Sequence, residues 1–309
     1  MHTNRDFAAP GARFKTTWAL IPFIPLLLSP ALHAASLEST TLKAWEAYLE
    51  SVHMRTELRL RPGNTFLWVD EQAERLAKVR AGEIVVSPVG PQNPKRIPSG
   101  LIHHWVAAVF ISRVTLSDVL HVVRDYTKYK EFFRPTVIDS KVITSGETKD
   151  RFSMLLMHKS SLLKTAIDTD HESFYMEVDA RRAYSISRAT RIQEIEEYGT
   201  PAQRILRQGE GTGIIWGLFS TTRYVERDGG VYVEVEAIGL SRDIPASLRW
   251  LIEPIVRRVS RGSLTATLRQ TENAVRSHAE LAHRKTGSVE GWRLPIFAQL
   301  THLAKRRRS

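Results

Sequence analysis

The sequence predicts an α+β fold in which an antiparallel sheet wraps around one long carboxy-terminal α-helix. Three observations carry that prediction. An apolar, strand-like run at 101–111 is followed by two short helical segments, then by a succession of strand-like runs, and finally by a long helical stripe. Strands that follow one another without intervening helices give the order of an α+β domain and not of a doubly wound one. The last two strand-like runs flank Asp228-Gly229-Gly230, a turn signal whose residues tolerate positive φ.

From the amino terminus, Arg5, Arg13 and Lys15 precede an apolar run at 18–28, and small residues follow around Ala34-Ala35-Ser36. That is the order of a secretory signal peptide, and residues 1–35 are read as one, cleaved on export to a periplasmic or extracellular location. The apolar run is shorter than a spanning helix needs, and Pro22, Pro25 and Pro30 interrupt it. Residues 36–98 read as an amino-terminal helical extension. Leu42, Trp45, Leu49 and Val52 make a helical stripe that Pro62-Gly63-Asn64 ends. The proline-rich stretch 88–98 is the expected boundary before a main domain at 99–283, and 284–309 forms a basic tail.

In the main domain, Leu116, Val119, Leu120 and Val123 share one face of a short helix. Thr115 is its expected N-cap, and Asp118 takes the capping-box position. An aromatic turn, Asp125-Tyr126-x-x-Tyr129-x-x-Phe132-x-x-Pro135, comes next. Strands are expected at 137–143, 151–157, 166–171, 174–178, 184–194, 205–208, 211–227 and 231–242. The last helix is expected to start with Asp243 as N-cap and Pro245 in its first turn. Pro254 should kink it, and Gly262-Ser263 offers a second weak point from which it could open as a lid.

Composition narrows the function. The 44 Lys and Arg against 33 Asp and Glu give a net charge of +11, which favours acidic partners such as an anionic membrane surface. The basic residues are scattered without a groove-reading motif, so nucleic acid is not an expected partner. With no cysteine, a disulfide scaffold, a zinc–thiolate site and a thiol nucleophile are excluded. His103 and His104 are neighbours on a strand, point to opposite faces and cannot chelate one metal together. Gly209, Gly211 and Gly213 lack the third glycine of a dinucleotide fingerprint and the lysine of a phosphate loop, and are expected at a bulge or tight bend. No metal, cofactor or catalytic residue is assigned.

The element order and the spaced aromatic motif at 125–135 resemble the START-like, or helix-grip (SRPBCC), superfamily, nearest to its coenzyme-Q-binding and polyketide cyclase/dehydratase-type members. The resemblance spans roughly 101–280. It implies a curved sheet gripping the carboxy-terminal helix, with an apolar cavity between them for a lipid, quinone or polyketide-like molecule. Under that resemblance Tyr126, Tyr129, Phe133, Trp216 and Trp250 line the cavity or its mouth. Arg223, Glu234 and Glu236 are the candidate polar contacts. Tyr232, Glu234, Glu236 and Ile238 share one strand face. Arg223 lies opposite Glu234 if the turn is Asp228-Gly229, and opposite Glu236 if it is Gly229-Gly230. Such a cluster either fixes a ligand headgroup or forms a solvated salt bridge on the outer face. The expected function is an exported binding protein for a hydrophobic small molecule. The alternatives are a cyclase- or dehydratase-type enzyme using these carboxylates, and an interaction module whose cavity is filled by its own side chains.

Overall fold

A computed structural model describes residues 37–159, 164–245, 247 and 249–290. The expected signal segment and most of the expected basic tail lie outside them. The strands are β1 (Val85–Pro88), β2 (Lys95–Ile97), β3 (Gly100–Ser112), β4 (Val137–Thr144), β5 (Lys149–Lys159), β6 (Lys164–Asp179), β7 (Arg182–Glu196), β8 (Arg204–Ile205), β9 (Gly217–Arg227) and β10 (Gly230–Arg242). They form one antiparallel sheet in the order β1-β3-β10-β9-β7-β6-β5-β4, with β2 beside β3 and β8 beside β7. The helices are α1 (Ser39–Leu60), α2 (Ala73–Arg80), α3 (Leu116–Arg124), α4 (Tyr129–Phe132) and α5 (Arg249–Glu290).

The two sheet faces carry different cores. Along β3, Ala107, Val109 and Ile111 point to the inner face, as do Val231 and Val233 of β10 and Tyr224 of β9. These pack against Leu116, Val119 and Val122 of α3 and Leu268, Val275 and Ala279 of α5. On the outer face, Ile102, Ile238 and Leu240 meet Trp45, Leu49 and Val52 of α1. Next to them Phe110, Tyr184, Val225 and Tyr232 meet Phe66, Leu67, Val69 and Val79. The amino-terminal segment is therefore a second layer, lying on the side of the sheet opposite α5.

Several local expectations hold. The Thr115 hydroxyl accepts the Asp118 amide, and the Asp118 carboxylate accepts the Thr115 amide, completing the capping box. The hairpin turns on Asp228 and Gly229, both at positive φ, and sets Arg223 opposite Glu234.

Others are corrected. The proline-rich stretch is itself part of the sheet: β1 ends at Pro88, β2 lies within the stretch, and both pair with β3. In α1 the buried stripe starts at Thr41, whose hydroxyl donates to Pro98 O, and not at Leu42, which is exposed. The runs at 166–171 and 174–178 are one strand, since Ser173 between them stays in the ladder and donates to Ser187 Oγ. Strand β9 starts at Gly217, later than expected. Asp243 does not cap α5, which begins at Arg249; its carboxylate accepts the Ile244 amide instead. The helix is one element that contains both Pro254 and Gly262-Ser263, and Leu264, Leu268 and Val275 seat its later turns on the core.

Candidate functional site

The expected polar cluster forms, but on the outer face. Arg223 Nη2 donates to Glu236 Oε2 at 3.0 Å and to Thr56 Oγ1 of α1 at 3.3 Å, and Nη1 reaches Glu234 Oε1 at 3.4 Å. Glu234 also accepts the amides of Trp68 and Val69, at 3.0 and 3.1 Å. His104 bridges the far end, with Nε2 2.9 Å from Glu236 and Nδ1 2.7 Å from Tyr48 Oη. Arg223 and Glu234 are buried, and Glu236 nearly so. Burial works to raise the Glu236 carboxyl, but the His104 hydrogen bond and the Arg223 guanidinium outweigh it and hold it at about 2. Burial pushes Glu234 up, against the pull of Arg223 and the two amides. This cluster is neither a cavity lining nor a solvated pair. It is a polar joint that pins α1 and the 68–69 turn to the sheet. Trp216 belongs to the same layer, packed with Trp45 and Leu240.

Tyr126, Tyr129 and Phe133 do come together, on the inner face. Tyr126 stacks on Phe152 (centroids 4.0 Å apart), Phe152 stacks on His171, and Tyr129 meets Phe133 edge-on. Tyr126 Oη lies 2.9 Å from Tyr175 Oη and 3.2 Å from the fully buried Asp150. Arg124, Ser145 and the Gly146 amide bond Asp150, and they overcome the effect of burial to hold its carboxyl below the usual range. Burial raises Tyr126 and Tyr175 and lowers His171 to about 4. The protein's own side chains thus pack this part of the inner face. Trp250 lies on the first turn of α5, and its side chain is outside the described residues.

The glycine loop holds a carboxylate of its own. Gly209, Gly211 and Gly213 all have positive φ, and the amides of Thr212 and Gly213 donate to Glu194 at 2.8 and 3.0 Å. A side chain at Gly211 would run into Glu194, with its Cβ 2.5 Å from Oε2. The loop is the tight bend expected, and the protein's own acid occupies its amide nest.

A hollow of about 790 Å³ lies between α5 and the β1–β3 edge of the sheet. Val86, Pro88 and Trp105 line it on the strand side. Edge strand β1 tolerates Pro88 because it pairs on one side alone. On the helix side, Gly262, Thr265 and Ala266 are small, and a Cβ built at Gly262 would meet nothing within 4 Å. Arg257, Arg258, Arg261 and Arg269 complete the lining. Arg269 is paired with Glu272 at 2.6 Å. Its three companions make no ion pair among the described residues.

No family model matches the sequence, and no curated protein matches it. Solved structures do. A STAR-related lipid transfer protein fragment from Xanthomonas axonopodis is 16% identical, covering 63% of this chain and 98% of its own, with a TM-score of 0.39. Human STARD10 is 11% identical over 75% of this chain and 90% of its own, with a TM-score of 0.41. The Zhui aromatase/cyclase from Streptomyces sp. R1128 is 12% identical over 57% and 94%, with a TM-score of 0.37. The fold is a helix grip. That conclusion stands on the observed sheet order and on the seat of α5 against the inner face.

None of the site residues expected from sequence and placed by the structure lines the hollow. The signal that would have found it was present. Trp105 shares a strand face with Ala107 and Val109, and Arg257, Arg258 and Arg261 stand at helical spacing on α5.

Proposed function

We propose that this chain binds a hydrophobic small molecule in the hollow between α5 and the β1–β3 edge. The observation that carries the reading is the hollow itself: about 790 Å³, with Val86, Pro88 and Trp105 along its strand side. That volume falls within the range of small-molecule sites, and apolar walls with a few placed polar groups are their usual composition. The enzyme alternative gains no support from the geometry. Arg223, Glu234 and Glu236 are on the other face of the sheet, beneath α1. Export is part of the proposal and rests on the basic, apolar and small-residue order of segment 1–35.

Organic extraction of the purified protein, followed by mass spectrometry, tests the binding reading. A discrete apolar compound is expected from the native chain and not from Gly262→Phe, whose ring would occupy the space open beside Gly262. Empty extracts from the native chain, together with no uptake of apolar probes, would remove the basis for the proposal.

A further inference from the structure

The hollow has an unusual charge arrangement for an apolar site. Residues 257, 258 and 261 stand one and four positions apart on α5, a spacing that gathers their side chains on neighbouring parts of one helix surface. All three line the hollow, and no carboxylate does among the described residues. Arg269, about two turns beyond Arg261, shows what the alternative looks like: its charge is met by Glu272 on the same helix. Three guanidinium groups sharing a concave surface with low-dielectric walls repel one another and concentrate a positive potential there. A neutral ligand would leave that repulsion in place, whereas an anion relieves it. The guanidinium is also the side chain best matched to a carboxylate or phosphate, which it grips with paired N–H donors. The arginine stems, being methylene chains, extend the apolar wall made by Val86, Pro88 and Trp105 up to the charged rim.

We infer that the hollow selects an anionic amphiphile. Its carboxylate or phosphate head is held by Arg257, Arg258 and Arg261, and its apolar body lies against Val86, Pro88 and Trp105. The inference rests on the binding reading above and adds the class of headgroup. It also accounts for the small residues Gly262, Thr265 and Ala266, which keep room for the body directly beside the three cations.

Calorimetric titration of the full chain separates the two readings. The probes are decyl phosphate, decyl alcohol and inorganic phosphate, each below any micelle-forming concentration. Decyl phosphate is expected to bind at least about tenfold more tightly than decyl alcohol, since a charge-assisted contact adds at least the 1.4 kcal/mol that a tenfold ratio represents. Inorganic phosphate alone is expected to bind far more weakly than either. The triple variant Arg257→Gln, Arg258→Gln, Arg261→Gln should erase the preference while still taking decyl alcohol, and its melting temperature reports that it is folded. Equal affinity for decyl phosphate and decyl alcohol would overturn the headgroup inference and leave the binding reading intact. If neither binds, both fall. Inorganic phosphate binding as tightly as decyl phosphate would show a bare anion site and overturn the amphiphile. Arginine-dependent binding to phosphatidylglycerol vesicles, with none to monomeric decyl phosphate, would make the patch a membrane contact and likewise overturn it.

Discussion

Arginines on the two sides of the sheet meet opposite circumstances. Arg223, under α1, is 1% exposed and bonded to two carboxylates and a threonine. Arg257, Arg258 and Arg261, on α5, are exposed and line a hollow without an acid partner among the described residues. A charge taken fully out of water must be matched inside the protein, and both terminal nitrogens of Arg223 are matched by Glu234, Glu236 and Thr56. A cation left at the rim of a concave apolar surface can wait for a partner from solution. The comparison puts a paired structural joint on the outer face and leaves the inner edge for the proposed ligand; of the two readings residue chemistry left open for Arg223, Glu234 and Glu236, the cluster takes the outer face but is buried there.

The largest expected effect breaks the outer side. Arg223→Ala strands Glu234 and Glu236 without their cation and should cost about 3–5 kcal/mol in urea unfolding, the range for removing one partner of a buried ion pair. Single Arg257→Gln or Arg261→Gln changes should stay within about 0.5 kcal/mol, as for exposed positions without partners. A similar loss at both places would erase the distinction.

The second effect concerns the inner aromatic cluster. His171 is buried against Phe152, and burial lowers it to about 4. The unfolded imidazole, near 6.5, takes up a proton first, so the neutral folded form contributes stability that is present above about pH 6.5 and lost as the pH falls towards 4. Between pH 7 and 5 the loss from this residue should be on the order of 2 kcal/mol. Denaturation curves of the native chain and His171→Phe at the two pH values read it as a difference in pH dependence. Equal slopes would mean that the imidazole is not buried as described.

Much of the fold was legible. Alternation at 231–238 separated Val231, Val233 and Val235 from Tyr232, Glu234, Glu236 and Ile238, and the structure keeps those two sets on opposite faces. The Thr115 and Asp118 cap and the Asp228-Gly229 turn are local chemistry, and local chemistry is what neighbouring residues encode. What alternation does not encode is which element covers which face. Besides Arg223, Glu234 is held by the amides of Trp68 and Val69, more than 160 residues away, and backbone donors have no residue type to mark them. The proline-rich stretch looked like a boundary because prolines punctuate local structure, yet β1, which ends at Pro88, and β2, which lies within the stretch, both pair with β3. Helical spacing alone does not distinguish the arginine triplet from the solvated side of an amphipathic helix. Only the neighbouring β1 edge, with Val86 and Pro88, turns that side into a wall of the hollow.

The most direct test asks where an apolar ligand sits. A long-chain alcohol carrying a photoactivatable diazirine, irradiated with the full chain and mapped by peptide mass spectrometry, should label residues around Val86, Trp105 and the 257–269 segment of α5. Labelling confined to the outer face around Phe174 and Met176, where a second hollow of about 550 Å³ lies beside α1, would contradict the account.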